Sequence, residues 1–252
     1  MIPLSEMAAL MEKDPDEDVR AASATALGQY VFLGELEELP ETTLRLIEDH
    51  LLDVLNGNDT TKVRRFALES LGYSSRDEVP PLIETAYAST DKGWVASALF
   101  AMGRSSNQEW KPKVLEMLGS KLPQLRCEAA RAAGELEIAQ ARPALIELLK
   151  DTDENTRASS IWSLSQIGGK GVREALEALY EETEDDDELS LLDEALENLE
   201  FNESLELLPI IKVSEQDDLD TEEDFSVEPL DYEDLDGEFY EEEVDDEEDL
   251  ED

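Results

Sequence analysis

Cysteine and histidine each occur once in this 252-residue chain, as Cys127 and His50. A lone cysteine excludes an internal disulfide and any cysteine-based zinc site. The histidine, set in IEDHLLDVL, supports neither a metal cluster nor a Ser-His-Asp triad, and it reads as a helix-surface residue. Basic side chains are also scarce, with 20 Lys and Arg against 66 Asp and Glu, a formal net charge of −46. Such a field repels phosphate backbones and anionic membrane surfaces. Direct nucleic-acid binding and membrane binding are therefore not expected, and a protein partner with a basic surface is. No apolar run reaches the length of a membrane span. The opening MIPLSEMAALMEKD contains Glu6, Glu12 and Asp14 and lacks a basic flank, so it does not read as a signal peptide. The expected setting is soluble, reducing and cytoplasmic, and no catalytic, metal or cofactor site is expected.

What the chain does contain is a repeat. The stretch LRCEAARAAG (125–134) can be laid over VRAASATALG (19–28), VRRFALESLG (63–72) and WVASALFAMG (94–103), and over TRASSIWSLS (156–165) without the glycine. The last residues fall at 72, 103, 134 and 165, three successive steps of 31 residues. A fixed period in this range predicts stacked helical hairpins rather than one closed domain. The first step is longer, because about 13 residues around QYVFLGELEELP lengthen the first repeat's helix and the loop after it.

Taken in order, the pattern predicts helices over Pro3–Met11, from Asp16, over Glu41–Leu55, and from Thr60 or Thr61 to Gly72. Regular pairs follow: Val79–Ala88 with Lys92–Gly103, Trp110–Leu118 with Leu122–Gly134, and Arg142–Leu149 with Asn155–Gly168. Gly171–Tyr180 pairs with a degenerate Glu188–Leu199, giving six hairpins. Pro80, Pro81, Pro112 and Pro143 stand near the starts of first helices, where a missing amide hydrogen costs little. SLELLPIIKV (204–213) is expected to cover the core of the last pair. Residues 214–252 hold 23 Asp and Glu and no Lys or Arg. Their ten large apolar side chains cannot offset the backbone entropy of ordering 39 residues, so this tail is expected to be disordered when free. The predicted organisation is an all-α α-solenoid over 1–213 followed by an acidic disordered tail over 214–252.

DEDVRAASATALG, KVRRFALESLG, LRCEAARAAG and DENTRASSIWSLSQIG together resemble a HEAT-repeat protein of the short-unit type first noted in phycobilisome lyases. The resemblance covers roughly 1–213 and is specific for fold. It implies little about activity, because such repeats occur in scaffolds, transport factors, lyases and a metal-dependent hydroxylase. Those hydroxylases use repeated His-Glu pairs, and this chain has none. Val95 replaces the arginine of the third repeat, and the sixth keeps almost none of the pattern. The lyase resemblance also raises Cys127 as a chromophore-attachment thiol, against the plainer reading of a buried or half-exposed bystander.

Two sets of side chains stand out. Arg20, Arg64, Arg126 and Arg157 recur at one place in each repeat, near Asp16, Asp18 or Asp153 at the preceding turn. They read as ties between turns and helix ends, with an anion-binding ladder as the rival. The second helices present another face at i, i+4 and i+8: Arg65/Glu69/Tyr73, Ala96/Phe100/Arg104, Cys127/Arg131/Glu135 and Ala158/Trp162/Gln166. Val63, Ala67, Leu71, Val95, Leu99, Met102, Ala129, Ala132, Ala133, Ile161 and Leu164 occupy the buried side. If second helices line the concave wall, then Arg65, Glu69, Tyr73, Phe100, Arg104, Arg131 and Trp162 form an aromatic, locally basic partner-binding groove. The alternative is that superhelical twist buries the aromatics between repeats.

The functional expectation is a non-enzymatic, monomeric scaffold that binds a protein partner through this groove, assisted by the acidic tail. The tail alternates acid with Phe225, Tyr232, Phe239 and Tyr240, so it reads as a fold-on-binding segment, a solubilising brush, or a mask over Arg65, Arg104 and Arg131. A lyase-like or maturation-factor protein and an acidic chaperone for basic proteins are the alternatives.

Overall fold

Glycine at a fixed place in a helical repeat allows two helix backbones to approach closely, and that approach joins neighbouring repeats here. The structure, a computed structural model, describes residues 3–206, which lie within one unit spanning Met1–Leu208. Its helices form six successive pairs: α1 (Leu4–Lys13) with α2 (Glu17–Glu35), α3 (Glu41–Asn56) with α4 (Thr61–Leu71), α5 (Val79–Tyr87) with α6 (Lys92–Arg104), α7 (Lys111–Met117) with α8 (Pro123–Glu135), α9 (Arg142–Leu148) with α10 (Glu154–Ile167), and α11 (Val172–Glu182) with α12 (Asp186–Glu206). No strand occurs among the described residues. The fold is an all-α solenoid. Asp16, Thr60, Asp91 and Asp153 cap α2, α4, α6 and α10 by accepting backbone N–H bonds.

Each second helix packs on the next, so α2, α4, α6, α8, α10 and α12 form a continuous row. The glycine of one repeat lies against the residue two positions before the matching place in the next. A Cβ on Gly28 would stand 2.7 Å from Ser70 Oγ, on Gly72 2.8 Å from Ala101 Cα, on Gly103 3.0 Å from Ala132 Cα, and on Gly134 2.8 Å from Ser163 Cα. Small residues facing glycine draw the second helices together, while the first helices touch one another little. The second helices are therefore the more tightly joined of the two rows. The eleven residues expected on the buried side of these helices are all buried, within a hydrophobic core running from Met11 to Leu199.

The repeated arginines are architectural. Arg20 forks onto Asp59 at 2.9 and 2.8 Å and donates to the Asp14 carbonyl. Arg126 forks onto Asp151 at 2.6 and 2.7 Å and donates to the Ser120 carbonyl. Arg157 reaches Glu188 and the Asp151 carbonyl, and Arg64 reaches the Leu55 carbonyl. Arg20, Arg126 and Arg157 thus join a carbonyl of the preceding turn to a carboxylate of the next repeat, as ties between turns, while the nearby Asp16 and Asp153 are taken up in capping.

Element ends differ from expectation in three places. Before α7 and α9 the chain first makes short 3-10 turns, Gln108–Trp110 and Ala139–Ala141. Helix α12 runs past the expected end at Leu199 to Glu206, so residues 204–206 continue a helix instead of starting a separate cover. The rest of 204–213, the 213/214 boundary and the 214–252 tail lie outside the described residues. His50 lies part-exposed on α3, with Nδ1 2.5 Å from Glu12 Oε1 of α1.

Candidate functional site

One face of the second-helix row brings five of the seven expected groove residues into one contact cluster. Phe100 of α6 lies beneath two guanidinium groups, with Arg131 Cζ 3.8 Å and Arg104 Cζ 4.1 Å from its ring centre. Arg104 also covers Tyr73, at 4.6 Å, and donates from Nη1 to the Glu69 carbonyl at 3.2 Å. Arg131 bonds Glu128 through Nε at 3.1 Å and Glu135 through Nη1, as the i−3 and i+4 positions of one helix allow. Arg65 is set apart. It donates to Ser97 Oγ at 2.9 Å, and the Ser97 hydroxyl in turn donates to Glu69 at 2.5 Å. Trp162 stands across the wall on α10, with 39% of its surface exposed.

The aromatics are neither free in a groove nor lost in the core. Tyr73 and Phe100 are half-buried under arginines, and Trp162 is the open one. Nor is the face basic, as sequence spacing suggested. Glu69, Glu128 and Glu135 stand among the three arginines, because helical spacing places both signs on the same side.

Burial tunes these charges. It pushes the Glu135 and Glu69 carboxyls above the ordinary glutamate range, with Arg131 opposing it for Glu135 and the Ser97 hydroxyl for Glu69. Burial also lowers the Arg104 pKa, and the neighbouring Arg131 charge adds to the effect. Arg104 Nε, Arg131 Nη2 and Glu135 Oε2 are buried without a hydrogen-bond partner, so the cluster is incompletely satisfied internally.

A cleft of about 420 Å³ opens beside this cluster, lined by Phe32, Leu36, Tyr73, Arg104, Glu135 and Trp162, with Glu35 and Glu137 also contributing. Phe32 tilts on Tyr73 at 5.0 Å between ring centres. Glu35 is held in place by the Ser75 amide at 2.7 Å. Glu137 follows α8 in the left-handed region, at φ 49°, which costs a non-glycine residue energy. Sequence spacing missed Phe32, Glu35 and Leu36, which belong to the inserted segment that lengthens α2. The signal lay in that extra turn of helix, which carries the wall beyond the repeat's own end.

Cys127 is a free, half-buried thiol. Burial raises its pKa, and Sγ lies 3.3 Å from Ser159 Oγ. Among the described residues, no group of three or more His, Cys, Asp and Glu side chains is arranged to hold a metal ion. No described helix is long and apolar enough to cross a membrane.

Comparison with known proteins agrees on the architecture. Residues 111–197 match the family model for HEAT repeats. An epoxyqueuosine reductase from Bacillus cereus is 37% identical over 98 residues. That alignment takes in 37% of this chain and 26% of the reductase, so the chain matches about a quarter of that protein's length. The complex of CpcE and CpcF of phycocyanin lyase from Nostoc sp. PCC7120 aligns over 76% of this chain and 75% of that chain, with a TM-score of 0.53 and 16% identity. Human deoxyhypusine hydroxylase aligns over 80% of this chain and 86% of its own, with a TM-score of 0.39 and 17% identity.

Proposed function

We propose that this chain, of which residues 111–197 match the HEAT-repeat model and whose second helices pack in a continuous row, is a non-enzymatic scaffold gripping a protein partner on that row. One observation carries the reading: the cleft beside the Phe100 cluster, where Trp162, Phe32 and Leu36 remain 37–53% exposed. Aromatic and arginine side chains gathered at a half-desolvated centre are the composition of interface anchors. The net charge of −46 favours a partner with a basic surface, and residues 214–252 add to that attraction. The scaffold acts as a monomer in the cytoplasm.

The test is affinity capture from the source cells with wild-type protein, Trp162→Ala, and Trp162→Ala combined with Phe100→Ala. Circular dichroism confirms that each variant is folded. Loss of an anchor costs ~2 kcal/mol or more, so recovery of the specific partner should fall about 30-fold at limiting concentration. Equal recovery by all three proteins overturns the reading.

A second reading is favoured by the fold shared with the phycocyanin lyase complex. On that reading the chain is a lyase-like or maturation protein handling a pigment or modifying another protein. Visible absorbance and elemental analysis of protein purified from its own cells separate the two, because a stoichiometric chromophore would favour the second.

A further inference from the structure

We infer that the cleft takes an arginine side chain from a basic, partly apolar segment of the partner, stacked on Trp162 and paired with the carboxylates of Glu35 and Glu137. This inference rests on the scaffold reading and names what the scaffold grips.

Four observations converge on a guanidinium. First, Arg131 already pairs Glu135, which leaves Glu35 and Glu137 as the cleft's carboxylates against one lining cation, Arg104. Second, Trp162 is 39% exposed and enters none of the ring-stacking or cation–π contacts among the described residues, whereas Tyr73 and Phe100 are each covered by an arginine. Indole is the strongest cation binder of the three ring types, and Trp162 is the one of these three rings that carries no guanidinium. Third, the Ser75 amide fixes Glu35, and a carboxylate has acceptor capacity beyond that one bond. An incoming donor therefore meets a carboxylate that is already oriented, with little further entropy to lose.

Fourth, the wall shows how it holds this chemistry, in Arg104 over Tyr73 and Phe100 and Arg131 over Phe100, all within 3.8–4.6 Å. A planar, weakly hydrated guanidinium suits a ring face and a carboxylate together, which a compact ammonium does less well. Phe32 and Leu36 supply apolar surface for the residues beside that arginine. The approach is aided by the field of the whole chain, but the field alone selects no side chain.

The probe is the capped tripeptide acetyl-Leu-Arg-Leu-amide, with its twin in which neutral, nearly isosteric citrulline replaces arginine. Full-length ¹⁵N-labelled protein is titrated while the indole N–H resonances of Trp94, Trp110 and Trp162 are followed. The Trp162 resonance is identified by its loss in Trp162→Phe. The arginine peptide should shift the Trp162 resonance saturably and leave the Trp94 and Trp110 resonances in place. Citrulline should weaken binding about tenfold or more, and Glu35→Gln with Glu137→Gln should weaken the arginine peptide several-fold.

Equal shifts with both peptides would overturn the inference. So would uniform movement of all three resonances, which is diffuse attraction to an acidic chain, or binding unaffected by the two substitutions. If partner capture depends on Trp162 while the arginine peptide leaves its resonance still, this inference fails and the scaffold reading stands. If the peptide binds but partner capture ignores Trp162, the scaffold reading fails.

Discussion

Glu48 of α3 has a fully buried side chain, accepts a bond from the Ser74 hydroxyl and lies 3.3 Å from Arg45 Nη1. Burial raises its pKa, with Ser74 and the two nearby arginines, Arg45 and Arg76, opposing the shift, and burial raises those of Glu69 and Glu135 in the same direction. A carboxyl whose pKa is higher folded than unfolded binds more protons in the native state. Its contribution to stability is therefore present at or below the ordinary glutamate value of about 4.3 and is lost as pH rises through the folded value. These three residues should make stability fall with pH above the ordinary carboxylate range. Glu48→Gln should flatten that slope, whatever offset it adds, and urea midpoints at about pH 5 and about pH 8 would measure it. An unchanged slope would mean that Glu48 is ionised throughout. Its burial was partly legible, since Glu48 falls four residues after Leu44 on the apolar stripe of its helix. Which groups satisfy it was not, because Ser74 and Arg76 come from beyond the next helix.

Between elements, the contacts that hold neighbouring repeats are backbone approaches at glycine and arginine forks onto the following turn. Gly72→Ala should destabilise by ~1–3 kcal/mol, because its Cβ would meet Ala101 Cα at 2.8 Å and Ala101 O at 2.9 Å, backbone atoms that cannot swing away. Gly119→Ala is the control, since the nearest atom to its Cβ lies 3.8 Å away, and it should be near neutral. Denaturant midpoints of both variants decide the matter, and equal losses would remove close approach as the role of Gly72. Helix type and pairing could be read from apolar spacing, caps and proline positions, because those signals are local. Gly72 and Gly134 could be read only as helix-end marks. Their use as contact points depends on the helix from the next repeat.

At the scale of the whole chain, the net charge of −46 sets a self-repulsion that salt should relieve. Raising ionic strength from about 0.01 M to about 0.15 M shortens the Debye length from ~30 Å to ~8 Å, so the thermal midpoint should rise. Exposed pairs such as Lys113–Glu84 weaken under the same change, but each contributes only about 0–1 kcal/mol. A falling midpoint would mean that the forks of Arg20 and Arg126 outweigh the repulsion. Periodicity, composition and charge by themselves determined a helical solenoid of six hairpins, which residues face its core, and its acidity, because each follows from local spacing or from a sum over residues. The partners of each arginine, the near-neutral wall where spacing implied a basic one, and the cleft joining Phe32 to Trp162 were decided by the tertiary structure alone. They depend on how far neighbouring helices approach and turn, and that follows from contacts between residues far apart in the chain.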